Sequence, residues 1–503
     1  MNPLNELSAT QLAKMVRNKE LKSQELVQFY IDRIESVNPA LNAVVVKRYD
    51  EALKEAAKAD DMLAKGAAIG RLRGVPFTVK ECFDVPNTPT TFGLRRRRND
   101  IPTMYDPYIA KLKAEGGIIL GKTNVAQLLM YFESANPVYG RTNNPHNAEF
   151  SCGGSSGGEG AIVAAKASPF GIGTDIGGSV RIPAAFCGAV SIKPSFGRTI
   201  DLCRYIDSGF IPPINSVVGP LANHAEDLEL VLQILNDVNN NSSTVNPPLG
   251  DMQKVDISQL KIGYFLTDGL FEPMPAVKRA VLESVEKLRE MGATVVAFEP
   301  PSPARAEELF FRILSANPFT ENVFMTNLLK DKPMVQATGL VMLSKAAPFL
   351  KTILRGLTGV LGQEGIHRLI PYMGGSGDAY MQKWTQVLQA YRQEFDTAMR
   401  QNGIDALICP PCAVPAFMHN TADKIGSGGV YTAMFNVTGM PAGVVPVSTV
   451  KNEEAVGRKA GMDLSMGTAA KIEKNSAGLP LSVQVAAKNW DDHIVLAVMK
   501  ALE

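Results

Sequence analysis

Two serines in glycine-rich stretches are the residues of this sequence whose setting most favours chemistry. Ser179 lies in "GTDIGGSVRIP" (173–183), and Ser155 lies in "SCGGSSGGEGA" (151–161). Glycine permits tight turns whose backbone N–H groups point inward at an anion. The small-residue segment between the loops predicts a helix that returns the chain to the same end of a sheet, where the two serines can meet. A glycine loop that only packs a helix against a strand is the alternative.

A serine hydroxyl needs a base, because it does not ionise at neutral pH by itself. None of the five histidines lies in a glycine-rich or otherwise distinctive setting, and Lys80, which ends the apolar run "GVPFTVK" (74–80), is the remaining candidate. Burial disfavours the charged form of lysine and lowers its pKa from ~10.4 by several units, enough for a base near neutrality. A solvated lysine at a strand end is the alternative. The histidines are His146, His224, His367, His419 and His493.

Two other motifs match patterns for a phosphate-binding loop and for a cysteine pair, but their surroundings argue against both functions. "GGIILGKT" (116–123) fits the phosphate-loop pattern GxxxxGK[ST], but such a loop follows a strand and opens a helix. Here a helical segment comes first and residues 118–120 are strand-like, so we expect no nucleotide site. "CPPC" (409–412) has no second CxxC and no histidine cluster beside it, which favours buried reduced thiols over a redox or metal pair. We expect neither a metal nor a cofactor.

The elements that must position these residues alternate along the chain. Apolar residues recur at helical spacing in "SQELVQFYIDRIESVNP" (23–39), and the short apolar runs "GGIILG" and "ATVVAF" each follow a helical segment. Helices that alternate with fully apolar strands are typical of a sheet covered on both faces. The sequence therefore predicts an α/β fold, a single large domain whose central twisted sheet is mixed, mostly parallel and covered by helices on both faces.

Composition describes a large globular protein. The chain has 503 residues, of which 45% are apolar and 20% charged, and its formal net charge is +1. This balance favours neither disorder nor a nucleic-acid partner, and no linker-like stretch divides residues 1–503 into separate domains. The N-terminal segment lacks a basic region followed by an apolar run, so we expect a cytoplasmic protein without a signal peptide or a transmembrane helix.

The stretch 151–194, together with "KPSFGR" (193–198), "GVPFTVKE" and "GKTN", resembles the amidase signature family, whose members use a Ser-Ser-Lys triad. The resemblance implies that Lys80 is the base, that Ser155 is the bridging serine, and that Ser179 attacks an amide carbonyl. It also implies an oxyanion hole made of backbone N–H groups. These would belong to Ile176, Gly177, Gly178 and Ser179. We interpret Asp175 and Arg181, which flank Ser179 with opposite charges, as scaffolding for the loop.

Other segments resemble the branch of this family that hydrolyses fatty acid amides, among them "AYRQEFDTAMRQNGIDALICP" (390–410) and "QLLMYFESANP" (127–137). The second segment implies that Leu129 and Met130 lie beside an acyl chain. The implied function is hydrolysis of fatty acid amides or N-acylethanolamines to fatty acid and amine through an acyl-enzyme, in a homodimer. The alternatives are a broad short-chain or aryl amidase and, with less support, the glutaminase-like subunit of an amidotransferase.

Residues 332–370 form an apolar and cationic insertion. Its first 32 residues carry four cations and no carboxylate, and Pro348 divides the segment into two short helices. A membrane span needs ~20 largely uninterrupted apolar residues, which these cations interrupt. We therefore expect an interfacial helical pair that contacts a membrane peripherally or monotopically through residues 340–362. A pair of ordinary buried helices is the alternative.

Overall fold

A computed structural model describes residues 4–67, 70–199, 213–238, 246–316, 331, 334, 343, 346–425 and 430–503. These residues form a large mixed sheet of eleven strands and a separate two-stranded ribbon. The strands are β1 (Val44–Lys47), β2 (Pro76–Lys80), β3 (Ile118–Thr123), β4 (Ala135–Asn136), β5 (Gly140–Arg141), β6 (Phe170–Asp175), β7 (Val190–Lys193), β8 (Val217–Ala222), β9 (Lys261–Tyr264), β10 (Thr294–Ala297), β11 (Ala406–Cys409), β12 (Ala442–Thr449) and β13 (Pro480–Ala487).

The large sheet has the strand order β1-β3-β2-β6-β8-β7-β12-β13-β11-β9-β10. Among the described strands of this large sheet, four neighbouring pairs are parallel and six are antiparallel. The predicted mixed sheet is confirmed, but parallel pairing does not predominate. The prediction relied on fully apolar strands, and burial on both faces selects apolar residues whichever way the neighbouring strands run.

Helices cover both faces of the sheet. Strands β2, β3, β6 and β8 are buried at every residue, which requires cover on each of their alternating faces. The helices are α1 (Ala9–Arg17), α2 (Ser23–Leu41), α3 (Tyr49–Ala64), α4 (Pro107–Ala114), α5 (Gly157–Ala164), α6 (Arg181–Cys187), α7 (Ala225–Asn236), α8 (Pro275–Glu290), α9 (Pro303–Ser315), α10 (Pro348–Val360), α11 (Glu364–Leu369), α12 (Asp378–Gln401), α13 (Ala422–Ile425), α14 (Ala433–Thr438), α15 (Leu464–Lys474) and α16 (Asp492–Leu502).

Three parallel strands bring the predicted site residues to one edge of the sheet. β2 pairs in parallel with β3 on one side and with β6 on the other. The carboxyl ends of parallel strands meet at the same edge. Lys80 ends β2, and the glycine loop that carries Ser179 follows β6. The phosphate-loop look-alike at 116–123 contains β3 itself, in agreement with the strand predicted there.

Helix α10 has an apolar face that is exposed to solvent. Pro348 is its first residue, a position where the missing N–H costs no hydrogen bond. Of its residues only Thr358 is buried. Much of the predicted insertion, residues 332–333, 335–342 and 344–345, lies outside the described residues. Across the described residues, no helix is long and apolar enough to cross a membrane. The exposed large apolar side chains are Phe349, Leu350, Ile353, Leu354, Leu357 and Val360.

Candidate active site

Lys80 and Ser155 form a buried hydrogen-bonded pair. The Lys80 side chain is fully buried, and its Nζ donates to Ser155 Oγ at 2.8 Å and to Thr174 Oγ1 at 2.8 Å. The Thr174 carbonyl oxygen lies 3.4 Å from the same nitrogen. This contact lets the amine exchange a proton directly with the Ser155 hydroxyl. The sequence motifs did not single out Thr174, although it stands next to Asp175 at the end of β6.

Ser179 lies in the turn between β6 and α6, next to the loop of Ser155. Ser155 is 1% exposed and Ser179 is 6% exposed, so the second hydroxyl is the more accessible to substrate. The Ser156 N–H donates to the Ser179 carbonyl oxygen at 3.1 Å, which holds the two loops side by side. The Gly154–Ser155 peptide bond is cis. Both serine hydroxyls belong to the described chain, and no hydrogen bond joins them in this arrangement.

The four backbone N–H groups predicted for the oxyanion hole differ in their present contacts. The Gly178 N–H donates to Asp175 Oδ1 at 2.8 Å, and its role as an oxyanion donor stays a prediction. The N–H groups of Ile176, Gly177 and Ser179 have no acceptor within the described ranges. They are the donors that a developing negative charge on a substrate oxygen would meet.

A buried ion pair holds this turn in place. Arg181 and Asp175 are both fully buried and meet in a two-point contact, with Nη2–Oδ1 at 2.9 Å and Nε–Oδ2 at 3.1 Å. The Asn436 Nδ2 also donates to Asp175 Oδ1, at 2.9 Å. Burial alone would raise the pKa of the Asp175 carboxyl, but the Arg181 guanidinium holds that pKa well below its usual range. These contacts support the interpretation of the pair as scaffolding.

Two side chains from distant segments close around the glycines of the turn. Gly178 has a φ of +130°, and a Cβ there would lie 2.2 Å from Thr432 Oγ1, which donates to the Gly177 carbonyl oxygen at 2.6 Å. A Cβ on Gly177 would lie 2.7 Å from Phe310 Cζ on α9. Sequence reasoning missed Thr432 and Phe310, because no local motif marks residues that reach the site only through the fold.

The predicted acyl-lining residues lie on a strained segment beside the site. Leu129 ends a short 3-10 helix (Gln127–Leu129) and is 3% exposed, and Met130 follows it, half-buried. Leu129 has a φ of +58°, in the left-handed region that non-glycine residues rarely adopt. The Ala126 N–H donates to the Ser155 carbonyl oxygen at 3.3 Å, which ties the start of this segment to the catalytic loop.

Within the described ranges, no cluster of three or more histidine, cysteine or carboxylate side chains has the arrangement of a metal site. Cys409 and Cys412 are buried and not disulfide-bonded, as expected from the sequence.

Comparisons with known proteins place this geometry in a family. The Amidase family matches residues 25–496. The "Fatty-acid amide hydrolase 1" of Sus scrofa is 32% identical, over 99% of this chain and 85% of the relative. A glutamyl-tRNA(Gln) amidotransferase chain of Fusobacterium nucleatum is 29% identical, over 100% of this chain and 97% of the relative. A solved structure of "Fatty acid amide hydrolase" superposes with a TM-score of 0.83 at 25% identity, covering 99% of this chain and 84% of that chain. The chain therefore belongs to the amidase signature family, and it is a hydrolase that acts on amide bonds.

Proposed function

We propose that Lys80, Ser155 and Ser179 cleave the amide bond of long-chain acyl amides and N-acylethanolamines. The observation that carries the mechanism is the 2.8 Å hydrogen bond between the buried Lys80 amine and Ser155. Uncharged Lys80 takes the proton of Ser155, Ser155 takes that of Ser179, and Ser179 Oγ attacks the carbonyl carbon to form a tetrahedral intermediate. No imidazole is needed for this relay.

Collapse of the intermediate breaks the C–N bond and leaves the acyl group on Ser179. The leaving amine receives a proton through the reversed relay, because an unprotonated amine anion does not depart. Water then attacks the acyl-enzyme with the same base and releases the fatty acid. The N–H groups of Ile176, Gly177 and Ser179 stabilise the oxyanion in both steps, and loss of one such donor typically raises the barrier by about 2.7 to 4 kcal/mol.

The lipid nature of the substrate is supported by the outer surface of α10. Phe349, Ile353 and Leu357 are 65%, 57% and 56% exposed and recur at intervals of four residues, on one side of the helix. Such a face suits contact with a membrane. The fatty acid amide hydrolases among the relatives support the same assignment.

The protein proposed here is a single domain over residues 1–503, with residues 332–370 as a cap that attaches it peripherally to a membrane on the cytoplasmic side. By resemblance to its relatives it acts as a homodimer. Light scattering of the purified protein tests the dimer, and sedimentation with phosphatidylcholine vesicles tests the attachment. A monomer would rule out the proposed homodimer, and a protein that stays in the supernatant would rule out the proposed membrane attachment.

The acyl-length series tests the substrate class. We expect kcat/KM for primary acyl amides to rise from two carbons to a maximum between about 14 and 20 carbons, since each buried CH₂ contributes about 0.8 kcal/mol. The variant Ser179→Ala should lose both hydrolysis and labelling by a fluorophosphonate probe. A maximum at two to four carbons would instead assign a short-chain or aryl amidase, and efficient hydrolysis of glutamine would assign the glutaminase-like role of an amidotransferase.

A further inference from the structure

Glu159 occupies a niche built for a carboxyl group beside the candidate base. It is the third residue of α5 and is fully buried. Its Oε1 lies 2.7 Å from Thr123 Oγ1 and its Oε2 lies 2.6 Å from Thr78 Oγ1. Gly171 on β6 makes the space, because a Cβ at that position would lie 1.7 Å from Glu159 Oε2. Three strands therefore shape this niche.

The same strands carry Lys80. Thr78 precedes Lys80 by two residues on β2, so both side chains lie on the same face of the sheet. Thr123 is the register partner of Lys80 on β3. The carboxyl group of Glu159 therefore holds together the two strands that place the base, and Lys80 is the cation whose charge acts on Glu159.

The hydroxyl protons around the niche can be counted. Ser168 Oγ donates to the Phe170 carbonyl oxygen at 2.7 Å, so its single proton is used. Thr78 Oγ1 lies 3.2 Å from Ser168 Oγ, and this hydrogen bond therefore needs the Thr78 proton. Thr78 Oγ1 also lies 2.6 Å from Glu159 Oε2, and its single proton cannot be donated in both contacts at once. Both are made together when Glu159 is protonated and donates to Thr78. All four contacts are satisfied together only by an uncharged carboxyl group.

The electrostatic setting supports the uncharged form. Burial raises the pKa of the Glu159 carboxyl to about 8, although hydrogen bonds that Thr78 and Thr123 would donate to the carboxylate form, and the charge of Lys80, lower it. The other cationic side chains on elements that pack against α5 have partners of their own. They are Arg33 on α2, which donates to the Ala165 carbonyl oxygen, Arg181 on α6, paired with Asp175 on β6, and Lys122 on β3, which donates to the Pro89 carbonyl oxygen.

We propose, on the basis of the function proposed above, that Glu159 is a positioning residue for Lys80, which as an uncharged carboxyl fixes the two strands around the base without favouring the protonated amine. A carboxylate at this place would do the opposite, because a negative charge within ~4 to 6 Å stabilises an ammonium group and raises its pKa. The uncharged Glu159 carboxyl thus fixes β2 and β3 by hydrogen bonds and leaves Lys80 available to act as the proposed base.

The test compares two replacements of Glu159 in the full-length protein, with a long-chain acyl amide as substrate. Glu159→Leu keeps the volume and removes both hydrogen bonds, and we expect kcat to fall by about tenfold with KM unchanged. Glu159→Gln supplies one donor and one acceptor, as the protonated acid does, and should recover kcat to within about threefold of wild type. Its acidic limb of kcat/KM against pH should stay in place.

Two results would overturn the inference. A shift of the acidic limb by about one pH unit or more towards acid in Glu159→Gln would show that wild-type Glu159 is ionised beside Lys80. A wild-type kcat in Glu159→Leu, with only a lower Tm, would show a purely structural role. If Glu159→Leu does not fold, Thr123→Val replaces it, since this variant removes only the hydroxyl that lies 2.7 Å from Glu159 Oε1 and 3.4 Å from the Val79 carbonyl oxygen. A wild-type kcat in Thr123→Val would equally count against the proposal.

Two further variants distinguish a failure of this inference from a general loss of stability and from a failure of the proposed function. Asp227→Asn is the matched control, a buried carboxyl that accepts from the Ala9 and Thr10 N–H groups of α1 and, in the part of the chain that the structure describes, makes no hydrogen bond to Lys80, Ser155 or Ser179. It should lower Tm and leave kcat and the pH profile unchanged. Lys80→Ala tests the proposed function itself. Wild-type activity in Lys80→Ala would reject Lys80 as the base, whereas an inactive Lys80→Ala beside a fully active Glu159→Leu would reject only the role of Glu159.

Discussion

The variant Gly178→Ala should destabilise the protein through two separable effects. Alanine rarely adopts the φ of +130° found at Gly178, and backbone strain of this kind costs about 1 to 3 kcal/mol. The new Cβ would lie 2.2 Å from Thr432 Oγ1, so that hydroxyl must move and give up its 2.6 Å hydrogen bond to the Gly177 carbonyl oxygen. The lost hydrogen bond adds about 1 kcal/mol. We expect a total of about 2 to 4 kcal/mol.

Urea unfolding followed by circular dichroism measures this loss, with the free energy of unfolding extrapolated linearly to water. Gly269→Ala is the control, because Gly269 also has a positive φ, +73°, but has nothing within 4 Å of its added Cβ. Gly269→Ala should therefore lower the free energy of unfolding through backbone strain alone. Thr432→Ala should cost about 1 kcal/mol by itself and almost nothing more when Gly178→Ala is present, since the same hydrogen bond is lost only once.

The reasoning would be refuted in either of two ways. If Gly178→Ala costs no more than Gly269→Ala, contact with Thr432 is irrelevant to stability. If the losses of Gly178→Ala and Thr432→Ala add fully in the double variant, the two residues do not share one hydrogen bond. The activity of the folded Gly178→Ala protein should also fall, because the turn that carries the N–H groups of Gly177 and Ser179 must shift to accept the methyl group.

Three other predictions test the site and its surroundings. Thr174→Val removes a hydroxyl bound to Lys80 at 2.8 Å and should lower kcat by about tenfold with little change in KM, as steady-state kinetics will measure; an unchanged kcat would make this contact incidental. Arg181→Leu leaves the Asp175 carboxylate buried without its partner and should lower the free energy of unfolding by about 3 to 5 kcal/mol. Adding Asp175→Asn to this variant should restore part of the lost stability. If it restores none, the Arg181 guanidinium stabilises the protein through other contacts. Burial, with a smaller effect of nearby cations, lowers the pKa of His419 from 6.5 to about 4. As the pH falls, His419 is therefore protonated in the unfolded chain before it is protonated in the folded protein, so stability falls between about pH 6.5 and 4. Over this range the Tm of His419→Gln should fall by less than the wild-type Tm. Equal decreases in Tm would show that His419 does not destabilise the folded protein at low pH.

Local motifs were enough to single out Lys80 and Ser155, which lie together in the fold. Lys80 and Ser155 were singled out from an apolar strand end and a glycine-rich loop, and the structure joins them by a hydrogen bond. The resemblance to the family implied an oxyanion role for the Gly178 N–H, but it did not reveal that the Asp175 carboxylate accepts from this N–H. A backbone donor is assigned correctly only when all of its competing acceptors are known.

Residues that act across the fold were beyond the reach of sequence patterns. Thr432 and Phe310 reach the glycine turn from segments more than a hundred residues away, and neither stands in a recognisable motif. The direction of strand pairing was missed for a related reason. Hydrophobic periodicity reports how deeply a strand is buried, whereas its direction depends on where the chain travels between strands.

The uncovered apolar side of α10 has a practical consequence for anyone who handles this protein. A row of large hydrocarbon side chains on the surface binds detergent, lipid or another copy of the protein, so purification without an amphiphile promotes aggregation. Kinetics would then follow surface dilution. The measured velocity would depend on the mole fraction of substrate in each micelle or vesicle and not on its bulk concentration, and rates taken in different amphiphiles would not be comparable.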